Sequence, residues 1–114
     1  MTTANRFIYT AILTTYNAVE TVERALKGIV LQNIAPAQIL IIDDCSLDGT
    51  ATKVEELIQN IPNAQLLVQS VNSGQSICRN LGAKLARSEY ILVFDDDDFS
   101  HKSRAEIHAR MFRN

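Results

Sequence analysis

Seven aspartates carry most of the chemistry this chain could do, and they fall in two short stretches: "DDCSLD" at 43–48 and "DDDD" at 95–98. The second follows "YILVF" (90–94), an apolar run of the kind that becomes a buried strand. Adjacent carboxylates about 4 Å apart repel by roughly 1 kcal/mol in water and about 4 kcal/mol at an effective dielectric of 20. Such a run is therefore either fully solvated or arranged around something positive. The six glutamates (20, 23, 55, 56, 89 and 106) all lie elsewhere, so without the aspartates the 11 basic residues leave 11 − 6 = +5. Glu suits helix surfaces, whereas Asp prefers caps, turns and ligand positions. The negative charge is thus concentrated at two places on a mildly basic background.

The elements that must position these groups alternate regularly. Strand patterns run over 7–14, 38–43, 64–69 and 90–95. Between them lie apolar stripes at helical spacing: Val19, Val22, Leu26, Ile29 and Val30; then Ala51, Val54, Leu57, Ile58 and Ile61; then Cys78, Leu81, Gly82 and Leu85. A fourth helical pattern covers about 102–112, and Asp48 stands where the second helix needs an N-cap. The β-α-β-α-β-α-β-α order with near-continuous apolar strands predicts an α/β fold, a parallel sheet covered by helices on both faces. In such sheets ligands bind beyond the carboxyl ends of the strands. Both aspartate clusters belong to that edge, as do "TTYN" (14–17) and "SVNSG" (70–74).

Length and composition bound the rest. At 114 residues and 46% hydrophobic, the chain reads as a single domain, 1–114, with a real core. A net charge of −2 excludes a strongly basic nucleic-acid binder. No apolar run approaches the roughly 18 residues of a membrane span, and "MTTANRFIY" has no signal-peptide pattern. Cys45 and Cys78 are far apart, which suggests neither a zinc site nor a disulfide scaffold, so a cytoplasmic setting is expected.

"ILTTYNAVETVERAL", "QILIIDDCSLDGT" and "VNSGQSICRNLGAKLARSEYILVFDDDD", in this order and spacing, resemble the nucleotide-binding half of family 2 glycosyltransferases. The resemblance implies a Rossmann-like GT-A half that binds a nucleotide-sugar, most simply a UDP-sugar. It implies transfer to a glycan, lipid-linked or protein acceptor, with inversion, in polysaccharide or glycan synthesis. Tyr16 matches the base-stacking position beside Thr14, and Asp44 the carboxylate that takes a base N–H, while Asp43 or Asp44 also serves the turn. Gly74 lets backbone approach the ligand at a helix N-terminus, and Arg79 matches a position that reaches a phosphate or stays on the surface. Asp95-x-Asp97 matches the Asp-x-Asp motif. The resemblance implies Mn²⁺ or Mg²⁺ on Asp97, with Asp95 or Asp96 on the ribose or on a metal-bound water; in the first case Asp95 is a second metal-side carboxylate.

This chain departs from the family pattern at Thr14, where Pro is common, and at Leu47, where a small polar residue is usual. The Gln-x-x-Arg-Trp motif of some members has no counterpart, there being no Trp. The general base is expected beyond residue 114. His101, Glu106 and His108 lie on the last helical pattern and read as a solvated face. The chain is accordingly expected to be the donor- and metal-binding part, catalytically incomplete alone, prone to self-association through uncovered apolar surface, and at most peripheral at the membrane face. Two rival readings are a receiver-type signalling domain and a nucleotidyltransferase. The first needs an acid pair after the first strand and the second a Gly-rich loop there; "TTYNAVET" is neither.

Overall fold

The computed structural model describes residues 7–112. The expectation of no signal peptide rests partly on residues 1–6, outside that range. Eight elements alternate: β1 (Tyr9–Thr15), α1 (Val22–Val30), β2 (Gln38–Asp43), α2 (Thr50–Ile58), β3 (Ala64–Val68), α3 (Gln75–Leu85), β4 (Tyr90–Asp95) and α4 (Arg104–Phe112). All four strands are parallel, in the order β3-β2-β1-β4. The first strand begins two residues later than its apolar run suggests and extends to Thr15, which pairs with Asp43.

Period-two alternation divides the core between the two faces of the sheet. Tyr9, Ala11 and Leu13 of β1 join Ile39 and Ile41 of β2 and Leu92 and Phe94 of β4 on one face. Val22, Ala25, Leu26 and Ile29 of α1, Val54 of α2 and Ala105 and Ala109 of α4 cover it. Ile12, Leu40 and Ile42 point the other way, beside Leu67 of β3, and among the described helices meet α3, through Cys78 and Leu81. That contact is close: a Cβ on Gly82 would lie 2.9 Å from Ile12 Cγ2. Both faces are covered as expected, but three helices lie on one and a single helix on the other.

The order reverses at β1, with β2 on one side and β4, last in sequence, on the other. In such sheets a ligand crevice lies where the strand order reverses. Here that place is between β1, ending in Thr14 and Thr15, and β4, ending in the acidic turn.

Candidate donor and metal site

The carboxyl edge is held together by aspartates acting as main-chain acceptors. Asp43 is fully buried at the end of β2. Its Oδ1 accepts from Thr15 Oγ1 at 2.7 Å and Ser46 Oγ at 2.6 Å, and its Oδ2 from the Ser46 amide at 2.8 Å. Asp48 accepts from the amides of Val19 at 3.1 Å and Thr50 at 3.0 Å, and from the Thr50 hydroxyl. These bonds hold the carboxyl below the ordinary aspartate range, the Thr50 hydroxyl contributing most. The cap position of α2 itself is Gly49, at φ 92°, rather than Asp48. Only a residue without Cβ enters the left-handed region there cheaply, while Asp48 still serves the first helical amide. Asn17, at φ 47°, donates its amide to Ser46 Oγ and accepts the Leu47 amide, both at 2.8 Å. The loop after β1 is therefore stitched to the loop after β2.

Asp44 is 4% exposed. Its two oxygens accept the amides of Ser73 at 2.7 Å and Gly74 at 2.8 Å. Gly74 stands at φ 94°, so its lack of a Cβ is needed for the turn that points these amides inward. Both Asp43 and Asp44 thus do turn work. A carboxylate oxygen retains a second lone pair, so Asp44 has acceptor capacity left, although little of the residue reaches the surface. Beneath it the Cys78 thiol is pushed up to about 11 by burial, then by the charge of Asp44.

Tyr16 is 40% exposed, and its amide donates to Asp96 Oδ2 at 2.9 Å, joining the tips of β1 and β4. Burial pushes the Asp96 carboxyl above the ordinary range; the Tyr16 amide opposes this, and the charges of Asp97 and Asp95 add to the rise. Asp95, Asp97 and Asp98 are exposed, and their carboxylates take no hydrogen bond or ion pair from the described residues. Thr14, 3% exposed, pairs with Asp95 in the sheet and lies under the crevice floor. Arg79 is half-buried on the first turns of α3. Its Nη2 donates to Gln75 Oε1 at 2.9 Å, while its buried Nε has no partner among the described residues.

This arrangement suits a hard divalent cation presented together with a diphosphate. Among the described residues no three His, Cys, Asp or Glu side chains converge into a ready-made cage. Mg²⁺ is commonly held by one or two carboxylates with substrate phosphates completing the shell, and unpaired aspartates on a turn meet that need. The orphaned Nε of Arg79 is a donor of the kind that recognises phosphate.

Residues with no signal in the sequence also shape the site. Thr21, Gln32 and Arg104 bond the main chain around the acidic turn, and Thr50 ties the β1 loop to α2 by accepting the Ala18 amide. His101 and Glu106 do local work at the start of α4. The His101 ring accepts the Ser103 amide, and Glu106 accepts Asn33 Nδ2 and Arg110. A cavity of about 550 Å³ opens at the opposite, amino-terminal edge of the sheet, between Gln38, Asn63, Arg87 and Ser88, with no carboxylate in its lining. The Gln38 and Ser88 side chains of its lining both bond the hydroxyl of buried Thr10.

A doubly wound parallel half-sheet with an acidic turn at its switch point defines the nucleotide-binding half of the GT-A fold. The model of glycosyl transferase family 2 matches residues 10–114, and the chain belongs to that family. An uncharacterized glycosyltransferase of Mycoplasma genitalium, MG025, is 31% identical over 95% of this chain and 37% of its own length. The putative colanic acid biosynthesis glycosyl transferase WcaA of Escherichia coli is 28% identical over 96% of the chain and 43% of its own length. The chain thus spans about two fifths of the length of these curated relatives. Among solved structures, S. aureus TarS 1-349 in complex with UDP superposes with a TM-score of 0.80 at 27% identity, over 94% of this chain and 32% of that one. The mannosyltransferase PcManGT of Pyrobaculum calidifontis, in complex with GDP-Man and Mn²⁺, shares the fold, with a TM-score of 0.79 at 23% identity over 89% of this chain and 31% of that one. The family match favours neither the receiver nor the nucleotidyltransferase reading. No described helix is long and apolar enough to cross a membrane.

Proposed function

We propose that this chain is the donor-binding part of a glycosyltransferase that moves a sugar from a UDP-sugar to an acceptor hydroxyl, with inversion, in polysaccharide or glycan synthesis at the cytoplasmic side. The observation that carries the reading is the β1–β4 crevice. There the Tyr16 amide is tied to Asp96 while the carboxylates of Asp95, Asp97 and Asp98 have no partner among the described residues. Bound UDP in TarS, a protein of the same fold at 27% identity, supports the choice of nucleotide.

The roles follow from placement. The exposed ring of Tyr16 offers a flat face to a pyrimidine. The remaining lone pairs of Asp44 can take a base N–H, while its amide bonds to Ser73 and Gly74 hold the loop that leads into α3. Arg79, whose buried Nε has no partner among the described residues, is the donor assigned to a phosphate oxygen. Asp97, with Asp95, holds Mn²⁺ or Mg²⁺, and Asp95 or Asp96 binds the ribose or a metal-bound water. When bound, the cation stabilises the charge that builds on the departing nucleoside diphosphate. The acceptor, whether glycan, lipid-linked or protein, and the general base belong to parts of the protein outside this chain. With general-base catalysis contributing about 10²- to 10⁴-fold, the chain alone is expected to bind donor without transferring sugar at a useful rate.

The test is titration calorimetry with UDP, UDP-GlcNAc, GDP-mannose and dTDP, in Mn²⁺ and in excess chelator. UDP compounds should bind best, and more tightly with Mn²⁺; Asp97→Asn should abolish the metal's effect and leave chelator-phase UDP binding intact. Equal affinity in chelator removes the metal role, and a preference for GDP-mannose or dTDP reassigns the donor.

A further inference from the structure

The acidic turn is held from outside its own strand, by α1 and the residues flanking it. Thr21 stands at the N-cap position of α1, where a Thr hydroxyl ordinarily bonds its own helix. It makes no such bond. Its Oγ1 donates instead to the carbonyl of Asp96 at 2.8 Å, 75 residues away.

At the other end of the helix Gln32 is 5% exposed and uses its whole amide. Nε2 donates to Gly28 O at 3.1 Å and His101 O at 2.7 Å, and Oε1 accepts the Ala105 amide at 2.9 Å. The adjacent Asn33 amide donates to Lys102 O at 2.7 Å. Between these ends Gly28 lets the chain lie directly on the helix, since a Cβ there would stand 2.9 Å from the Ser100 amide nitrogen. The main chain is thus fixed at Asp96 and again from Ser100 to Lys102, and the intervening bridge is Asp97, Asp98 and Phe99.

We propose that Thr21 and Gln32 are positioning residues for the acidic turn: they fix the main chain on either side of Asp97 so that its carboxylate is presented in the geometry a divalent cation requires. The inference rests on the metal reading of Asp97 given above. Small divalent cations demand near-ideal coordination, and ligand groups held in place before binding forfeit less freedom when the ion arrives. The side-chain bonds that hold the β2 and β3 loops, through Asp43, Asp44 and Asp48, involve neither Thr21 nor Gln32; the β1 tip meets the acidic turn at the single Tyr16–Asp96 bond.

Mn²⁺ binding is read by the paramagnetic resonance of free Mn²⁺ at saturating UDP, and UDP binding in chelator by calorimetry. The variants are Thr21→Val, which keeps shape and loses the hydroxyl; Thr21→Ser, which keeps the hydroxyl; Gln32→Met; and Asp97→Asn. Thr21→Val and Gln32→Met should weaken Mn²⁺ binding by roughly fivefold, the equivalent of one ordinary hydrogen bond, with UDP binding in chelator affected clearly less. Thr21→Ser should restore it. Should Gln32→Met fail to fold, the Thr21 pair decides. If Thr21→Val holds Mn²⁺ as the wild type does while Asp97→Asn does not, the positioning role is wrong and the metal reading stands. Equal losses in Mn²⁺ and chelator-phase UDP binding reduce Thr21 to a general structural part and overturn the inference. If wild type and Asp97→Asn bind Mn²⁺ alike, the metal reading fails and this inference fails with it.

Discussion

Asp43 and Asp44 are neighbours of one residue type, yet they face different kinds of donor, and this sets different costs for losing the charge. Asp43 accepts two hydroxyls and one amide. Hydroxyls rotate to suit and can accept as well as donate, so Asp43→Asn can keep most of its bonds. Asp44 accepts two main-chain amides, one on each oxygen, and an amide cannot reverse its role. Asp44→Asn must then aim an N–H at an N–H. We expect Asp43→Asn to lower stability by about 1 kcal/mol and Asp44→Asn by about 2–3 kcal/mol, read from urea unfolding. Equal costs would show that the Ser73–Gly74 loop is not held by the Asp44 charge. Asp48 supplies a pH signature. Its folded carboxyl is held below the ordinary value of 3.8, so its stabilising effect is complete above that pH and is lost as pH falls through the lowered folded value. The gap in urea midpoint between wild type and Asp48→Asn should therefore be full at pH 6 and shrink progressively below about pH 4. A gap that persists at pH 2 would mean the hydrogen bonds to Val19 and Thr50 do not depend on the charge.

At the scale of elements, α3 is seated on the sheet through a glycine. It alone covers its face of the sheet, and it sits close because Gly82 presents no side chain to Ile12 and Ile42. A methyl at Gly82 would stand 2.9 Å from Ile12 Cγ2 and 3.1 Å from Ile42 Cδ1. Replacing Gly with Ala in a helix gains about 1 kcal/mol of propensity, and overpacking a tight core costs about 1–3 kcal/mol. Ile12 is fully buried, and a β-branched side chain turns little about χ1, so the clash should win. Gly82→Ala is expected to lower stability by about 1–2 kcal/mol net; a urea midpoint at or above wild type would show that α3 can lift away without loss. Because α3 begins at Gly74, a shift of the helix would also move the amides that Asp44 holds.

Over the whole molecule, the two faces differ in how much core they carry. The α1–α2–α4 face joins buried residues from three strands and three helices, whereas the α3 face has a buried core of Ile12, Leu40, Ile42 and Cys78. Edge strand β3 has no fully buried residue, and β1 is buried throughout. Local opening follows such differences in packing. Native-state hydrogen exchange should therefore find the amides of β1 and β2 slowest and those of β3 and α3 markedly faster. Protection in α3 equal to that in β1 would refute this ordering. The consequence for function is direct: the firm face carries the acidic turn, through α1, and the looser face carries the Ser73–Gly74 loop beside the proposed nucleoside site.

The sequence by itself determined the elements, the fold class and where the carboxylates stand. Strand-length apolar runs and helical stripes at 19–30, 51–61 and 78–85 are local properties, and each is read within a few residues of the observed element. Because every strand of a parallel sheet ends at the same edge, Asp43, Asp44 and Asp95–Asp98 had to gather there whatever the strand order. Only the tertiary structure decided that β4 lies beside β1, that Asp96 meets the Tyr16 amide, and that Asp44 is claimed by Ser73 and Gly74. It alone revealed Thr21 and Gln32. Their bonds to the acidic turn and the segment after it join residues 69 to 75 positions apart, and nothing in the spacing around a Thr or a Gln specifies such a partner. Local sequence encodes periodicity and caps, which act within one turn or one strand. A hydrogen bond across the fold depends on which strands become neighbours, and that is settled only when the whole sheet packs.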